Sequence, residues 1–255
     1  QEIAASITGD IVAVVGYLDQ GPKNAVAVIN DGKIIKIIKQ SEANKVNAIQ
    51  RINGEGRYLM PGLADMHVHV RWNPQRMFDL FLINGVTTVA NMRLKDGGFD
   101  HLALREKVNS GEMRGPRYLL SGPHLEGNFP EDTEEINSVL DEHVRNKIDF
   151  VKVHGDLKPE IYKAIIVGAK QRGLKVVGHA QHKMPLKDSL VLNTLEHIEE
   201  FLYVARDDKM VGQPPSGFLP AYRANVERLL DENYRAEVVR DVAVSGMYVD
   251  PTLIV

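Results

Sequence analysis

Residues 61–70 read PGLADMHVHV, and how the fold is read turns on the two histidines near its end. A Pro-Gly turn precedes a short run in which apolar residues alternate with polar ones. In a strand, residues two apart share a face, so His67 and His69 project together and can chelate one ion. An H-x-H pair by itself is as readily two unrelated polar residues in a half-exposed strand. The remaining chain has to separate these readings.

From about residue 58 onward, short apolar runs alternate with helical patterns. The strand candidates are Tyr58 to Met60 running into 63–69, TTVANM (87–92), PRYLLSG (116–122), DFVKVH (149–154), LKVVGHA (174–180), NTLEH (193–197) and GMYVDPTLIV (246–255). Between them lie helices with readable ends. Asp132 and Glu135 fit an N-cap and its third helical position, followed by Ile136, Val139, Leu140 and Val144 on one face. Pro159 suits a first helical turn, Ile161, Ala164 and Ile165 form a stripe, and Gly173 suits the end. Repeated strand–helix–strand units imply parallel strands joined by crossover helices. Polar chemistry falls at the C-terminal ends of these strands: His67, His69, Lys152, His154, His179 and His197. That is where a (β/α) barrel gathers its functional groups. A doubly wound sheet would show a glycine-rich turn after its first strand, and no G-x-G-x-x-G occurs there.

Residues before about 60 read as short strands: DIVAVVGYL, AVAVIN and KIIKIIK. Asn30-Asp31-Gly32 marks a hairpin between the last two. A small antiparallel sheet follows, one that needs further strands or a neighbouring domain to be stable.

The 255 residues are 44% hydrophobic and 25% charged, with a formal net charge of -3, as in an ordinary globular chain able to bury a large core. Acidic and basic residues are interspersed, so neither a nucleic-acid stripe nor a polybasic membrane patch is expected. No apolar run approaches the length of a membrane span. Cysteine is absent, which excludes disulfides and thiolate ligands and leaves His, Asp and Glu for any metal. The chain starts at Gln1, compatible with removal of an export signal, and its compartment stays open between cytoplasmic and exported.

Lys152 lies between Val151 and Val153, whose side chains would pack against helices. It therefore faces the barrel core, where an ammonium without a partner is costly. It either snorkels out or pairs with a carboxylate, or it has a lowered pKa and is available to react with carbon dioxide or to sit beside metals. Four histidines at three strand ends, with this lysine among them, make a metal shell more economical than coincidence. His154 and His124 (in SGPHLEGN, 121–128) are substrate-contact candidates. His182 suits a place near the site or solvent, while His101 and His143 suit helix surfaces or packing. The Pro- and Gly-rich stretch 207–218 is read as a substrate-facing flap or a connection.

Several stretches together resemble the amidohydrolase superfamily, the metal-dependent hydrolases that include dihydroorotase, phosphotriesterase, imidazolonepropionase and one group of prolidases. They are GRYLMPGLADMHVH (56–69), NGVTTVANM (84–92), GEMRGPRYLLSGP (111–123), IDFVKVHGD (148–156), LKVVGHAQ (174–181) and TLEHIEEF (194–201). The likeness runs from about residue 8 to the last residue and is nearest the imidazolonepropionase- and prolidase-like branch. It implies an α/β fold, a (β/α)8-type TIM barrel over residues 58–255 with a small N-terminal β-sandwich over residues 1–57. It also implies that His67 and His69 bind a more buried metal, that His179 and His197 bind a second, and that a carboxylated Lys152 bridges the two. The expected cofactor is zinc or a similar divalent metal, one or two ions per chain.

The activity so implied is hydrolysis of an amide-like C–N bond in a small molecule, such as a dipeptide or an N-acyl amino acid. A mononuclear deaminase or cyclic-amide hydrolase, or an inactive barrel used for binding, are the alternatives. A homo-oligomer is compatible with all of them. The family pattern also calls for an eighth strand ending in an aspartate that acts as general base. The sequence ends at Val255 in what reads as strand 7, to which Asp250 belongs, so a chain cut before strand 8 is expected.

Overall fold

The computed structural model describes residues 12–17, 25–204 and 231–253. The 207–218 stretch read as a flap lies outside them. The chain clusters into two compact units, residues 1–64 with 79–87 and residues 65–78 with 88–255.

In the first unit, β1 (Val12–Tyr17), β2 (Ala25–Asn30), β3 (Lys33–Lys39) and β4 (Gln50–Tyr58) form a sheet in the order β3-β2-β1-β4. The expected hairpin is there: Asp31 (φ 48°) and Gly32 (φ 70°) both take the left-handed conformation that a two-residue connection needs. β2 is an interior strand, and its run AVAVIN is apolar at consecutive positions because both faces are covered. Val26 and Val28 pack with Ile38 on one side, and Ala27 packs with Ile29, Ile52 and Leu59 on the other. The sheet is mixed, since β1 pairs antiparallel with β2 and parallel with β4. Tyr58 ends β4 and does not lead into the barrel, contrary to its expected place in the first barrel strand. β4 itself, QRINGEGRY, escapes a pattern reading because two glycines and several charged residues interrupt any apolar alternation.

The strands of the barrel run β5 (Leu63–Val68), β6 (Val86–Asn91), β7 (Arg117–Leu125), β8 (Phe150–Val153), β9 (Lys175–Gly178), β10 (Thr194–Glu196) and β11 (Tyr248–Asp250). They join in chain order, β11-β10-β9-β8-β7-β6-β5, into a nearly closed parallel barrel. The helices between them are α1 (Pro74–Ile83), α2 (His101–Asn109), α3 (Thr133–Arg145), α4 (Pro159–Gln171), the short α5 (Leu186–Ser189) and α6 (Glu200–Tyr203), and α7 (Glu232–Ser245).

Local chemistry sets their ends. The Asp132 carboxylate accepts the Glu135 N–H at 2.9 Å, while the Glu135 carboxylate accepts the Glu131 N–H at 2.7 Å, so two orphan donors of α3 are met. Pro159 takes the first turn of α4, and Gly173 (φ 67°) follows its end. One expected core position moves. Ile136, Val139, Leu140 and His143 form the buried face of α3, and Val144, one residue further around the helix, is exposed.

The main core fills the space between strands β7–β11 and the helices from α3 onward, with Leu140, Val151, Val153, Ile165 and Leu195 fully buried. Among the described residues no helix is long and apolar enough to cross a membrane. Ile165→Ala removes a fully buried side chain and is expected to cost 2–5 kcal/mol, whereas Val167→Ala on the exposed side of α4 is expected to stay within about 0.5 kcal/mol. Urea denaturation of the two variants checks the assignment of the α4 faces.

Candidate metal centre

Parallel strands in register bring their C-terminal ends to one rim, and the histidines arrive there from six positions. His67 lies within β5 and His69 one residue beyond it; His124 lies in β7; His154, His179 and His197 each follow the last residue of β8, β9 or β10. Ring centroids trace a closed circuit: His67–His69 5.5 Å, His69–His124 6.4 Å, His124–His154 4.5 Å, His154–His179 4.3 Å, His179–His197 4.8 Å and His197–His67 4.7 Å. The structure therefore gathers all six predicted histidines.

Four of these rings are oriented through Nδ1. Glu196 Oε2 lies 2.6 Å from His67 Nδ1, and Glu200 Oε1 lies 2.6 Å from His179 Nδ1. The Asp96 carboxylate bonds His69 Nδ1. Thr252 Oγ1 lies 2.7 Å from His197 Nδ1. An Nδ1–H donated to a carboxylate leaves the Nε2 lone pair for a metal, the arrangement by which proteins fix and strengthen imidazole ligands. His197 is further pinned in a left-handed backbone conformation (φ 70°), its N–H donating to the Asp250 carbonyl at 2.9 Å. A side chain held at positive φ is rare outside glycine and marks a position the surroundings over-determine.

Lys152 belongs to the same place. Across the β7–β8 ladder it pairs with His124, and across β8–β9 with Val177. It is 1% exposed, and its Nζ has no hydrogen-bond partner among the described residues. Burial pulls its pKa down to about 8, against the opposing pull of the Glu196, Glu200 and Asp250 carboxylates. Burial first, and the nearby Lys152 ammonium among the charges that follow, hold the rings neutral: His67 falls to about 3, His197 to about 4, and His69 also falls. Glu196 is lifted by burial to about 7. Glu200 goes the other way, down to about 2, because its hydrogen bonds to His179 and His182 outweigh burial.

This donor set fits a divalent metal. Neutral imidazoles carry lone pairs, the Nδ1 atoms of His67, His69, His179 and His197 are already engaged, and a buried amine without a hydrogen-bond partner among the described residues stands with them. The tightest three-donor group lies beside the expected set. Among the described residues, His124, Glu126 and His154 offer ligand atoms all within 4.8 Å of one another.

The other histidines sort clearly. His101 is fully buried between the Tyr118 hydroxyl (2.7 Å) and the Asp96 carbonyl (2.9 Å), and His143 packs against Gly122 with Nδ1 2.7 Å from the Val139 carbonyl. Both are packing residues. His182 sits beside the site, 2.7 Å from Glu200 Oε2. The residues missed from sequence are the orienting ones: Asp96, Glu196, Glu200 and Thr252. Glu196 precedes His197 in TLEH and Glu200 follows in the same stretch, but nothing local says which distant ring each one holds.

Comparison with known proteins follows the same line. No protein-family profile matches the chain. It is 28% identical over 121 residues to an L-hydantoinase of Paenarthrobacter aurescens, covering 44% of this chain and 26% of the relative. It is 33% identical over 64 residues to adenine deaminase 2 of Shouchella clausii, covering 24% and 11%. The chain thus matches about a quarter or less of these relatives' lengths. A solved structure of a prolidase candidate from Bifidobacterium longum superposes with a TM-score of 0.60 at 20% identity, over 94% of this chain and 71% of that one, and shares the fold. The two sequence relatives are matched over short stretches only, and the solved structure shows a shared fold.

The imidazole pKa values set an acid limit for the metal-free chain. An unfolded imidazole titrates near 6.5, and His67 titrates near 3 when folded, so the unfolded state takes up the proton first. The part of the stability that His67 contributes is full above about pH 6.5 and is lost as pH drops toward 3, by at most about 1.4 kcal/mol per pH unit, while Glu196, lifted to about 7, works in the opposite direction as pH falls below 7. Denaturation midpoints of chelator-treated wild type and His67→Gln between pH 7 and 4 isolate the His67 part, and the variant is expected to lose less stability toward low pH than the wild type.

Proposed function

We propose that this chain, an amidohydrolase-superfamily barrel, contributes the metal centre of a hydrolase that cleaves an amide-like C–N bond in a small molecule such as a dipeptide or an N-acyl amino acid. The observation that carries the reading is Lys152: a buried amine without a hydrogen-bond partner among the described residues, enclosed by histidines whose Nδ1 atoms are held by carboxylates and a hydroxyl. His67 and His69 would hold one zinc-like ion and His179 and His197 a second, with Lys152 between them as its carbamate.

A lowered amine pKa supplies the reactive form. The ammonium would first lose one proton; the neutral Lys152 amine would then add to carbon dioxide, the new N–C bond forming as a C=O π bond opens onto oxygen and a second proton leaves the nitrogen, so that a cation would become an anion. That change removes the cost of a bare ammonium in the core. Bound divalent metal would supply hydroxide near neutral pH and polarise a carbonyl oxygen. The chain's own part is orientation: Glu196, Asp96, Glu200 and Thr252 fix the rings. Glu196, lifted to about 7, also stands at a pKa suited to holding or releasing a proton beside His67.

The second reading, a mononuclear deaminase or cyclic-amide hydrolase, takes its reaction class from the names of the two relatives above, which say nothing of the number of metals. It uses the histidines without a modified lysine.

On protein purified without chelator and with bicarbonate, Lys152→Ala is expected to lose bridged metal and at least 100-fold in hydrolysis of dipeptides and N-acyl amino acids. Glu196→Gln is expected to weaken metal 10- to 100-fold while keeping the fold. Elemental analysis with a substrate panel reads both. Ammonia release from a purine or ring opening of a cyclic amide, undiminished in Lys152→Ala, would select the second reading.

A further inference from the structure

The rim of β7 and β8 carries donors that the proposed centre does not use. We propose that His124, Glu126 and His154 form a separate binding site for a borderline divalent cation of the zinc type.

The three residues are set by backbone that cannot easily drift. His124 pairs with Lys152 in the β7–β8 ladder, and the His154 N–H donates to the Leu125 carbonyl at 2.9 Å. Glu126 heads a tight reversal in which its N–H donates to the Phe129 carbonyl and the Phe129 N–H donates back to it, each at 2.9 Å. The Gly127 N–H, inside that reversal, donates to Asp156 Oδ1 at 2.9 Å. One carboxylate and two imidazoles are thus presented from two adjacent strand ends.

Their atoms suit an ion better than they suit one another. His124 Nε2 lies 2.8 Å from the Met92 carbonyl, an acceptor only, so this nitrogen carries the hydrogen and Nδ1 keeps its lone pair. His154 Nδ1 and Glu126 Oε2 are 3.6 Å apart, too far for a good hydrogen bond. Two ligand atoms about 2.1 Å from one ion at a tetrahedral angle are about 3.4 Å apart, close to that separation. The other nitrogen of His154, Nε2, is buried and has no hydrogen-bond partner among the described residues. The ring is thus short of interactions on both sides; an ion held by Nδ1 and Glu126 relieves the Nδ1 side and leaves the hydrogen on Nε2.

The donor set also selects the ion. Two nitrogens and one carboxylate favour zinc and its neighbours over calcium or magnesium, which prefer all-oxygen shells. Three protein ligands leave a fourth position open to water or to an anionic group of a substrate. His154 stacks on His179 at 4.3 Å, so the ion would sit one ring away from the proposed centre.

The test is zinc titration of the chelator-stripped chain by calorimetry, with cobalt(II) absorption as a second readout, for the wild type, Glu126→Gln and the pair His67→Ala/His69→Ala. Glu126 is exposed, so its substitution is expected to leave folding intact, which circular dichroism checks. The expected result is that Glu126→Gln binds one ion fewer, or binds it at least ten-fold more weakly, and that the double variant keeps the ion that depends on Glu126. Equal stoichiometry and affinity in the wild type and Glu126→Gln would overturn the site. If only the double variant loses metal, the proposed centre stands and this site falls. If only Glu126→Gln does, the reverse holds.

Discussion

A lysine amine sealed inside a barrel is the constraint around which the rest of this site is arranged. Lys152 is held there by its strand: Val151 and Val153 face the helices and are fully buried, which turns position 152 to the opposite side. Once there, an ammonium raises the cost of every nearby positive charge, and the surrounding imidazoles accordingly titrate well below their usual range. The carboxylates of Glu196, Glu200 and Asp250 stabilise the charged amine only in part, since burial still dominates. A cluster so arranged is poor as a purely structural core and well suited to receiving cations and an anionic lysine derivative.

Orientation is as informative as position. Each of His67, His69 and His179 has its Nδ1 engaged by a carboxylate that reaches it from another segment: from β10, from the loop after β6, and from α6. Such partners determine which ring nitrogen remains available. They also tie the first barrel strand to the sixth across the sheet, through His67 and Glu196, where no backbone ladder joins them. The site thereby contributes to closing the barrel as well as to its chemistry.

Much of this was legible in the sequence where the cause is local. The α3 cap and the Asp31-Gly32 hairpin follow from residues within a few positions, and the structure has them as expected. Histidines at strand ends were visible because strand periodicity fixes which residues share a face. The failures come where a decision is not local. Val144 lost its core place to His143 because helical geometry, not hydrophobicity, chooses the buried stripe. Strand β4 was missed because pairing with β1 overrides its weak pattern. Glu196 lies 129 residues from the ring it orients, a relation that no short-range spacing encodes. The Glu126 donor was overlooked because the two histidines beside it were weighed as substrate contacts.

The central claim is that the Lys152-centred ring of histidines holds divalent metal. A crystal structure of the bicarbonate-treated, zinc-loaded protein, with anomalous data collected at the zinc edge, tests it most directly. The account predicts anomalous peaks about 2.0–2.1 Å from nitrogens of His67, His69, His179 and His197, with extra density on Lys152 Nζ between them. No peak within that ring, with Lys152 unmodified and paired to a carboxylate, would contradict it.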